Sequence, residues 1–243
     1  MVLGPIVAAF FGISGVFYLT ALLSILGIGL VSFGVPSQTA IFQRPPASAL
    51  YKLAEINRVC RDLKLQKLFF GIFSLHFILA SIFSFIPYSL EVIFDISRDL
   101  HWKLYLPVVL GSLLSVLLIL NFFEKSSRSE TIFILFIFIL SLSVLGFLST
   151  KTLVIYTFFL FIFFVAFNYF EAILPAMVGS QVSQINRGLA LGLFSTSQFL
   201  GTALGGVFGG WIFQFDSSIW RFCLIPIICW LFLESRPASI RRV

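Results

Sequence analysis

Charged side chains are scarce in this sequence. Asp, Glu, Lys and Arg make up 11% of its 243 residues, whereas apolar residues make up 59% and the mean hydropathy is +1.07. A soluble domain normally has about 25% charged residues and about 45 to 50% apolar ones. Too few polar side chains are present to cover a globule in water, so the composition excludes a soluble domain and indicates a membrane protein.

Residues that bind metals or carry covalent catalysis are also few. The three cysteines, Cys60, Cys223 and Cys229, show no metal-ligand or paired spacing, and only two histidines are present. The sequence has no HExxH, no GxSxG, no phosphate loop and no aspartate-rich pair. We therefore predict no metal, no cofactor and no enzymatic activity.

What the sequence does have is long apolar runs. About 20 helical residues are needed to cross about 30 Å of hydrocarbon. On that basis we predict seven spans, at residues 14–34, 66–87, 104–123, 131–149, 152–174, 189–213 and 218–233. The opening "MVLGPIVAAFFG" is too short to span before the turn-like "GISG", and it is predicted to end a helix. The fold class is therefore all-α, a polytopic helical bundle.

The distribution of basic residues predicts the orientation. Alternate loops place 12 of the 16 lysines and arginines on one side of the membrane, which the positive-inside rule makes cytoplasmic. The other side receives Arg98, Lys103, Lys151 and Arg221. The net charge of +6 is thus explained by membrane orientation, and we predict no nucleic-acid partner.

The cytoplasmic segment 35–65 contains "QRPPASALYKLAEINRVCRDLKLQK". After the two prolines, apolar residues recur at helical spacing with basic residues between them. This pattern predicts an amphipathic helix on the inner membrane face. A linker helix between two bundles is the favoured interpretation, and a regulatory role is the alternative.

The sequence contains an internal similarity. "LGPIVAAFFGISGVFYLTALL" near the start and "LGGVFGGWIFQFDSSIWRFCLI" near the end both have a Leu-Gly opening, an apolar half-helix, a turn and an aromatic helix entry. Similar hairpins at the ends of two halves are typical of duplicated transporters. Residues 1–34 would then finish one half, and 66–233 would form the six spans of the other.

Small residues lie four apart in the span 189–213. Ser197, Gly201, Gly205 and Gly209 share one face of the predicted helix. In lipid, close helix association depends on small residues that let backbones approach each other. We predict that this face packs against another helix, while Gln198 faces a polar cavity.

Several stretches resemble the major facilitator superfamily, in particular its YajR-like branch of efflux proteins. "NRGLALGLFSTSQFLGTALGGVFGGW" is similar to the eleventh helix of that family. Further similar stretches are "KLFFGIFSLHFIL", "HWKLYL", "FFVAFNYFEAILPAMV" and "LGPIVAAFFG". The resemblance implies two six-helix halves around a central cavity, with alternating access.

The resemblance also implies the domain organisation. The chain would begin near the end of helix five and run to helix twelve, lacking the first four helices and the small soluble carboxy-terminal domain. Residues 1–34 would end the amino-terminal bundle, 35–65 would be the linker, 66–233 the carboxy-terminal bundle and 234–243 a cytoplasmic tail. Gly4 and Pro5 match part of the antiporter motif of helix five, where they would serve bending and packing; a plain Gly-Pro kink is the alternative.

Two ionisable residues lie inside predicted spans, where such groups are costly and usually functional. Glu171 is in "FNYFEAILP", and His76 is at the middle of 66–87. By resemblance their helices line the central cavity. Histidine titrates near neutral pH, and a carboxyl group removed from water holds its proton more tightly, so the pair is predicted to carry a coupling proton. A merely structural role remains the alternative for each.

Two more residues are candidates for the transport machinery. Asn168 shares a helix face with Glu171 and is predicted to orient it or to contact substrate. Arg187, at the cytoplasmic entry of the glycine-rich helix, is predicted to bond the carbonyls of an adjacent helix end as part of a conformational switch, or else to follow the positive-inside bias.

Two functions remain open. The first is a proton-coupled transporter that exports small molecules across the inner membrane. The second is a truncated, non-transporting remnant, or a half-transporter that needs a second helical bundle as its partner.

Overall fold

The computed structural model describes residues 3–34, 49–123, 129–212 and 224–235, and these residues form helices without any strand. A π-helical turn at Ser89–Ile93 ends the third helix, and a 3₁₀ turn at Arg98–Leu100 precedes the fourth. The eight α-helices are α1 Leu3–Gly34, α2 Ala49–Arg61, α3 Leu63–Tyr88, α4 His101–Phe123, α5 Ser129–Ser149, α6 Leu153–Gln181, α7 Arg187–Ile212 and α8 Ile225–Ser235. The predicted polytopic helical bundle is confirmed.

Five of the seven predicted spans coincide with helices long and apolar enough to cross a membrane. Within the part of the chain that is described, these segments are Phe10–Gly34, Leu63–Ile93, Arg98–Asn121, Glu130–Ser149 and Leu153–Gln181. The predicted span 189–213 corresponds to α7, which has 26 residues, but its glycines and hydroxyl side chains keep it outside this apolar set. Of the span 218–233, the first residues lie outside the described ranges and the remainder forms α8.

Helix α1 is interrupted at Gly12, the first residue of the "GISG" turn. Gly12 has φ 69° and ψ −178°, a conformation that suits glycine because it has no Cβ. The short amino-terminal helix and the following span are therefore two helical segments joined at a kink. The turn expected at this position is present, and the assignment of the first residues to the end of a longer helix stays a prediction.

Helix α3 occupies the centre of the bundle. It begins at Asp62, whose carboxylate accepts a hydrogen bond of 2.8 Å from the backbone N–H of Lys64 and so caps the first turn. Its sides pack most extensively on α7, and also on α6 and α8, while α4 and α5 pack on α6. Side chains on α3 can therefore contact α6, α7 and α8.

The contact between α3 and α7 is made by backbone against backbone. A Cβ added to Gly201, Gly205 or Gly209 would meet backbone atoms of Phe73, Phe77 or Ser81, respectively. The Ser81 hydroxyl also donates a hydrogen bond of 3.0 Å to the carbonyl oxygen of Gly205. Gly206 and Gly210 lie on another face, where a Cβ would meet nothing within 4 Å. Three of these five glycines thus hold α7 against α3.

Helix α8 is anchored by one aromatic residue. Trp230 is fully buried and contacts the rings of Phe133 and Phe170. Gly71 of α3 leaves the necessary space, because a Cβ there would lie 2.6 Å from the Trp230 ring. Lys67 and Glu234 join the start of α3 to the end of α8 at 3.5 Å.

The amphipathic helix predicted in the segment 35–65 is present as α2. Val59 is buried against the bundle, while Arg58 and Arg61 are exposed. Residues 35–48, including both prolines, lie outside the described ranges, as do residues 236–243 of the predicted tail. The bounds of the predicted domains stay a prediction.

Candidate functional site

Three helices bring three polar side chains together inside the bundle. His76 of α3 lies between Gln198 of α7 and Glu171 of α6. Its Nε2 is 2.8 Å from the amide nitrogen of Gln198 and 3.5 Å from Oε1 of Glu171. We call these three residues the triad. The glycine contacts of α7 make the first distance possible, because they bring the α7 backbone close to that of α3.

The hydrogen bonds of His76 fix its tautomer. Nδ1 lies 3.2 Å from the carbonyl oxygen of Ile72, which can only accept, so Nδ1 carries a proton. In the neutral ring Nε2 is then an acceptor, and the amide group of Gln198 donates to it. The neutral state of His76 is therefore the one that satisfies both contacts.

The triad lies between apolar and open surroundings. His76 is 8% exposed, and its ring lies 5.5 Å from that of Phe167. The side chain of Glu171 is 35% exposed, although its Oε1 atom is buried and has no hydrogen-bond partner among the described residues. One carboxylate oxygen thus faces His76 while part of the side chain remains accessible. The carboxylate can therefore bind a proton or a cation, and either one changes the charge that the neighbouring imidazole experiences.

Pro175 alters the helix beside Glu171. A proline has no backbone N–H, so Pro175 cannot donate the helical hydrogen bond to the carbonyl oxygen four residues earlier, which is that of Glu171. Prolines inside helices cause bends by removing this bond and crowding that carbonyl group. The residue that carries the carboxylate of the triad therefore lacks one backbone hydrogen bond of α6.

Asn168 joins α6 to α4. Its amide nitrogen donates to the hydroxyl of Ser112 at 3.0 Å, and this hydroxyl donates in turn to the carbonyl oxygen of Val109 at 2.8 Å. Asn168 is therefore tied to α4, and a role in orienting Glu171 or contacting substrate stays a prediction. Ser112 was missed in the sequence, because a single serine within an apolar helix gives no signal of its partner.

Arg187, the first residue of α7, bridges to the end of α6. Its Nε donates to the carbonyl oxygen of Gly179 at 3.2 Å, so it satisfies one of the carbonyl groups left open at the end of α6. This is the contact proposed for it in the sequence. Whether it acts in a conformational switch stays a prediction.

The other predicted packing residues have different surroundings. Ser197 donates to the carbonyl oxygen of Leu193 in its own helix at 3.1 Å. A Cβ on Gly4 would meet nothing within 4 Å, and the side chain of Pro5 lies outside what the structure describes. A packing role for Gly4 and Pro5 stays a prediction.

Three buried hydroxyl groups were not predicted at all. Ser89, Tyr105 and Tyr156 are buried at one end of the bundle, and none of their hydroxyl groups has a hydrogen-bond partner among the described residues. Nothing in the sequence distinguishes these tyrosines from the many aromatic residues around them. Only the fold brings them into one region.

The described residues contain no group of three or more His, Cys, Asp and Glu side chains that could hold a metal ion. Cys60 and Cys229 are both exposed and unpaired, so they do not fill the interior as small apolar residues. Cys223 lies outside the described ranges.

Comparison with known proteins finds relatives among membrane transporters, although no protein-family model matches the chain. It is 34% identical to the "Inner membrane transport protein YajR" of Escherichia coli (strain K12), over 87% of this chain and 46% of that protein. An uncharacterized transporter of Buchnera aphidicola subsp. Acyrthosiphon pisum is 37% identical, over 84% and 52% of the two chains. One from Buchnera aphidicola subsp. Baizongia pistaciae is 30% identical, over 88% and 55%.

The chain spans about half the length of the curated relatives it matches. These similarities show that it is a homologue of membrane transport proteins, as its motifs indicated. Together with five helices of spanning length, they identify it as a multi-pass protein of the inner membrane.

Proposed function

We propose that the chain carries the carboxy-terminal bundle of a major facilitator transporter that exchanges protons for small molecules leaving the cell. Three things support this: the homology to transporters, the arrangement of long apolar helices, and the triad. The triad is the observation on which the proposal depends. It places the amide of Gln198 at 2.8 Å and the carboxylate of Glu171 at 3.5 Å from the ring of His76, with the three residues on three different helices.

Proton binding to His76 changes which helices the imidazole can bond. Once Nε2 carries a proton it is a donor, and it no longer accepts from the amide N–H of Gln198, 2.8 Å away. Either the amide turns its oxygen toward the ring, or the ring turns toward the carboxylate of Glu171. The second choice replaces a contact between α3 and α7 with one between α3 and α6. In that second case protonation alters helix contacts, as a coupled transporter requires.

Glu171 is the residue that we propose binds proton and cargo alternately. Its accessible oxygen can take a proton or a cationic group, but a neutral carboxyl group no longer attracts a cation. The two ligands then exclude each other, and each leaves when the other binds. Lipophilic organic cations are the class of cargo that fits one carboxylate among aromatic side chains.

The conformational step that we propose is rocking of two bundles around this site. Pro175 lets the α6 backbone bend beside Glu171, and Arg187 makes the inner ends of α6 and α7 move together through its bond to Gly179. Asn168 would transmit the movement to α4 through Ser112. The alternative is a half-transporter that is inactive without a partner bundle.

Transport by the reconstituted chain tests the proposal. Proteoliposomes with an imposed pH gradient are supplied with ethidium as the probe, and its uptake is followed by fluorescence. We expect uptake that requires the gradient and disappears when an ionophore collapses it. Correctly inserted protein that moves no ethidium and no other lipophilic cation would reject transport by this chain alone and favour the partner-dependent alternative.

A further inference from the structure

A cluster of basic side chains lies where α2 joins α3. Arg58 and Arg61 are exposed on α2, and Lys64 is exposed in the first turn of α3. Among the described residues none of these three side chains has an ion-pair partner. We call Arg58, Arg61 and Lys64 the basic surface. The function proposed above does not use it, and the inference that follows does not depend on transport.

The charges between residues 54 and 67 are sorted by exposure. The two acidic residues, Glu55 and Asp62, are half-buried, and the carboxylate of Asp62 caps the first turn of α3. Lys67 is paired with Glu234 at 3.5 Å. The exposed charges are therefore all positive. The positive-inside bias explains why basic residues are present at this end, but it does not require the acidic ones to be turned toward the bundle.

The helix that carries both arginines is fixed against the bundle. Val59 of α2 is 5% exposed, so one face of this helix is buried. At the joint, the side-chain amide of Gln66 donates a hydrogen bond of 2.7 Å to the carbonyl oxygen of Cys60. Residues three apart share a helix face, so Arg58 and Arg61 lie side by side. The two guanidinium groups are thus presented together without further ordering of the backbone.

The basic surface lies at the edge of a membrane span. The apolar segment that contains α3 begins at Leu63, between Arg61 and Lys64, and Leu63 is 56% exposed. Long basic side chains at such a boundary keep their aliphatic stems along apolar surroundings and extend their charges to the level of the lipid headgroups. The distribution of lysines and arginines predicts that this end is cytoplasmic, and the cytoplasmic leaflet has a negative surface potential.

We infer that the basic surface binds the phosphate headgroups of anionic phospholipids in the cytoplasmic leaflet. A guanidinium group matches phosphate oxygens in a bidentate geometry, so Arg58 and Arg61 supply directional contacts, while the ammonium group of Lys64 adds a point charge. The exposed side chain of Leu63 contacts the lipid chains beside them. Because α2 is fixed to α3, a bound lipid holds the start of the helix that carries His76 at a set depth in the membrane.

Native mass spectrometry of the full chain tests this inference. The protein in nonionic detergent is mixed with equal amounts of phosphatidylglycerol, which is anionic, and phosphatidylcholine, which has no net charge, both with the same acyl chains. The molecules of each lipid that stay bound are then counted. We expect several-fold more bound phosphatidylglycerol than phosphatidylcholine. Equal binding of the two lipids would overturn the inference.

Inorganic phosphate distinguishes a lipid surface from a site for free phosphate. The same mixture is measured with added phosphate and with chloride at the same ionic strength, so that both samples screen charge equally. We expect the same preference for phosphatidylglycerol in both, because the lipid is held by its chains as well as by its headgroup. A preference that phosphate removes and chloride does not would assign the surface to free phosphate and contradict the inference.

Paired variants locate the binding. Arg58→Gln combined with Arg61→Gln removes two charges from the basic surface and is expected to reduce the preference for phosphatidylglycerol several-fold. The matched control is Lys103→Gln combined with Lys151→Gln, which removes the same charge from two exposed lysines elsewhere and should keep the preference. An unchanged preference in the arginine variant, or an equal reduction in both variants, would contradict the inference. If the arginine variant does not fold, the comparison of the two lipids in the unaltered chain decides alone.

Discussion

Gly205→Ala is expected to separate α7 from α3 and to destabilise the folded bundle by about 2 kcal/mol or more, because an added methyl group has no space there. The new Cβ would lie 2.8 Å from the Cα of Phe77 and closer still to the carbonyl oxygen of that residue. Both are backbone atoms, so no side-chain rotation relieves the contact. The helices must move apart, and the bond from Ser81 to the Gly205 carbonyl oxygen is then lost as well.

Gly206→Ala provides a control one residue further along the same helix. A Cβ at Gly206 would meet nothing within 4 Å, so this change adds the same methyl group on an open face. Alanine is favoured over glycine in a helix by about 1 kcal/mol, so this variant should be as stable as the original chain or more so. The comparison is made by thermal unfolding in detergent and by the yield of monodisperse protein. Equal loss of stability in both variants would mean that any alanine on α7 is destabilising, and that the close contact with α3 is not the cause.

Glu171→Gln is expected to abolish both transport driven by a pH gradient and exchange of ethidium across the membrane. Glutamine has nearly the same shape as glutamate, but it cannot bind and release a proton, and it carries no charge that attracts a cation. Net transport needs the site to return with a proton in place of substrate, and this step is lost. Exchange of labelled for unlabelled ethidium needs no proton movement, so its loss reports the loss of cation binding itself.

Glu130→Gln is the matched control for this experiment. Glu130 lies exposed in the first turn of α5, away from the triad. It should keep both net transport and exchange. Net uptake by Glu171→Gln at the level of the unaltered chain would remove Glu171 from the proton pathway, whereas exchange that persists without net uptake would mean that substrate binding does not need the carboxylate.

The helical bundle was predictable because lipid imposes strong constraints on composition and length. A run of about 20 apolar residues has few alternatives to a helix that satisfies its own backbone groups. The kink at Gly12 followed from a turn-like sequence, and the close contact of α7 followed from small residues spaced four apart. Gly206 and Gly210 show the limit of that pattern, since the sequence cannot tell which glycines face a neighbour.

The candidate site was predictable in part. Ionisable residues inside apolar helices are conspicuous, so His76 and Glu171 could be chosen without knowing the fold. Their separation of 3.5 Å depends on how α3 and α6 pack, which the sequence does not specify. Asn168 pairs with Ser112 because α4 and α6 pack together, and a serine inside an apolar run gives no signal of that contact. The burial of Ser89, Tyr105 and Tyr156 also depends on how the helices pack, which the sequence does not specify.

The most direct test of the proton pathway is proton release when substrate binds. Ethidium is added to the full chain in weakly buffered detergent solution near neutral pH, and release is followed with a pH-sensitive dye. Since proton and cation compete for Glu171, the account predicts release of about one proton, at most, for each cation bound. It also predicts loss of that release in Glu171→Gln and its retention in Glu130→Gln. Binding without proton release, or the same release from Glu171→Gln, would contradict the account.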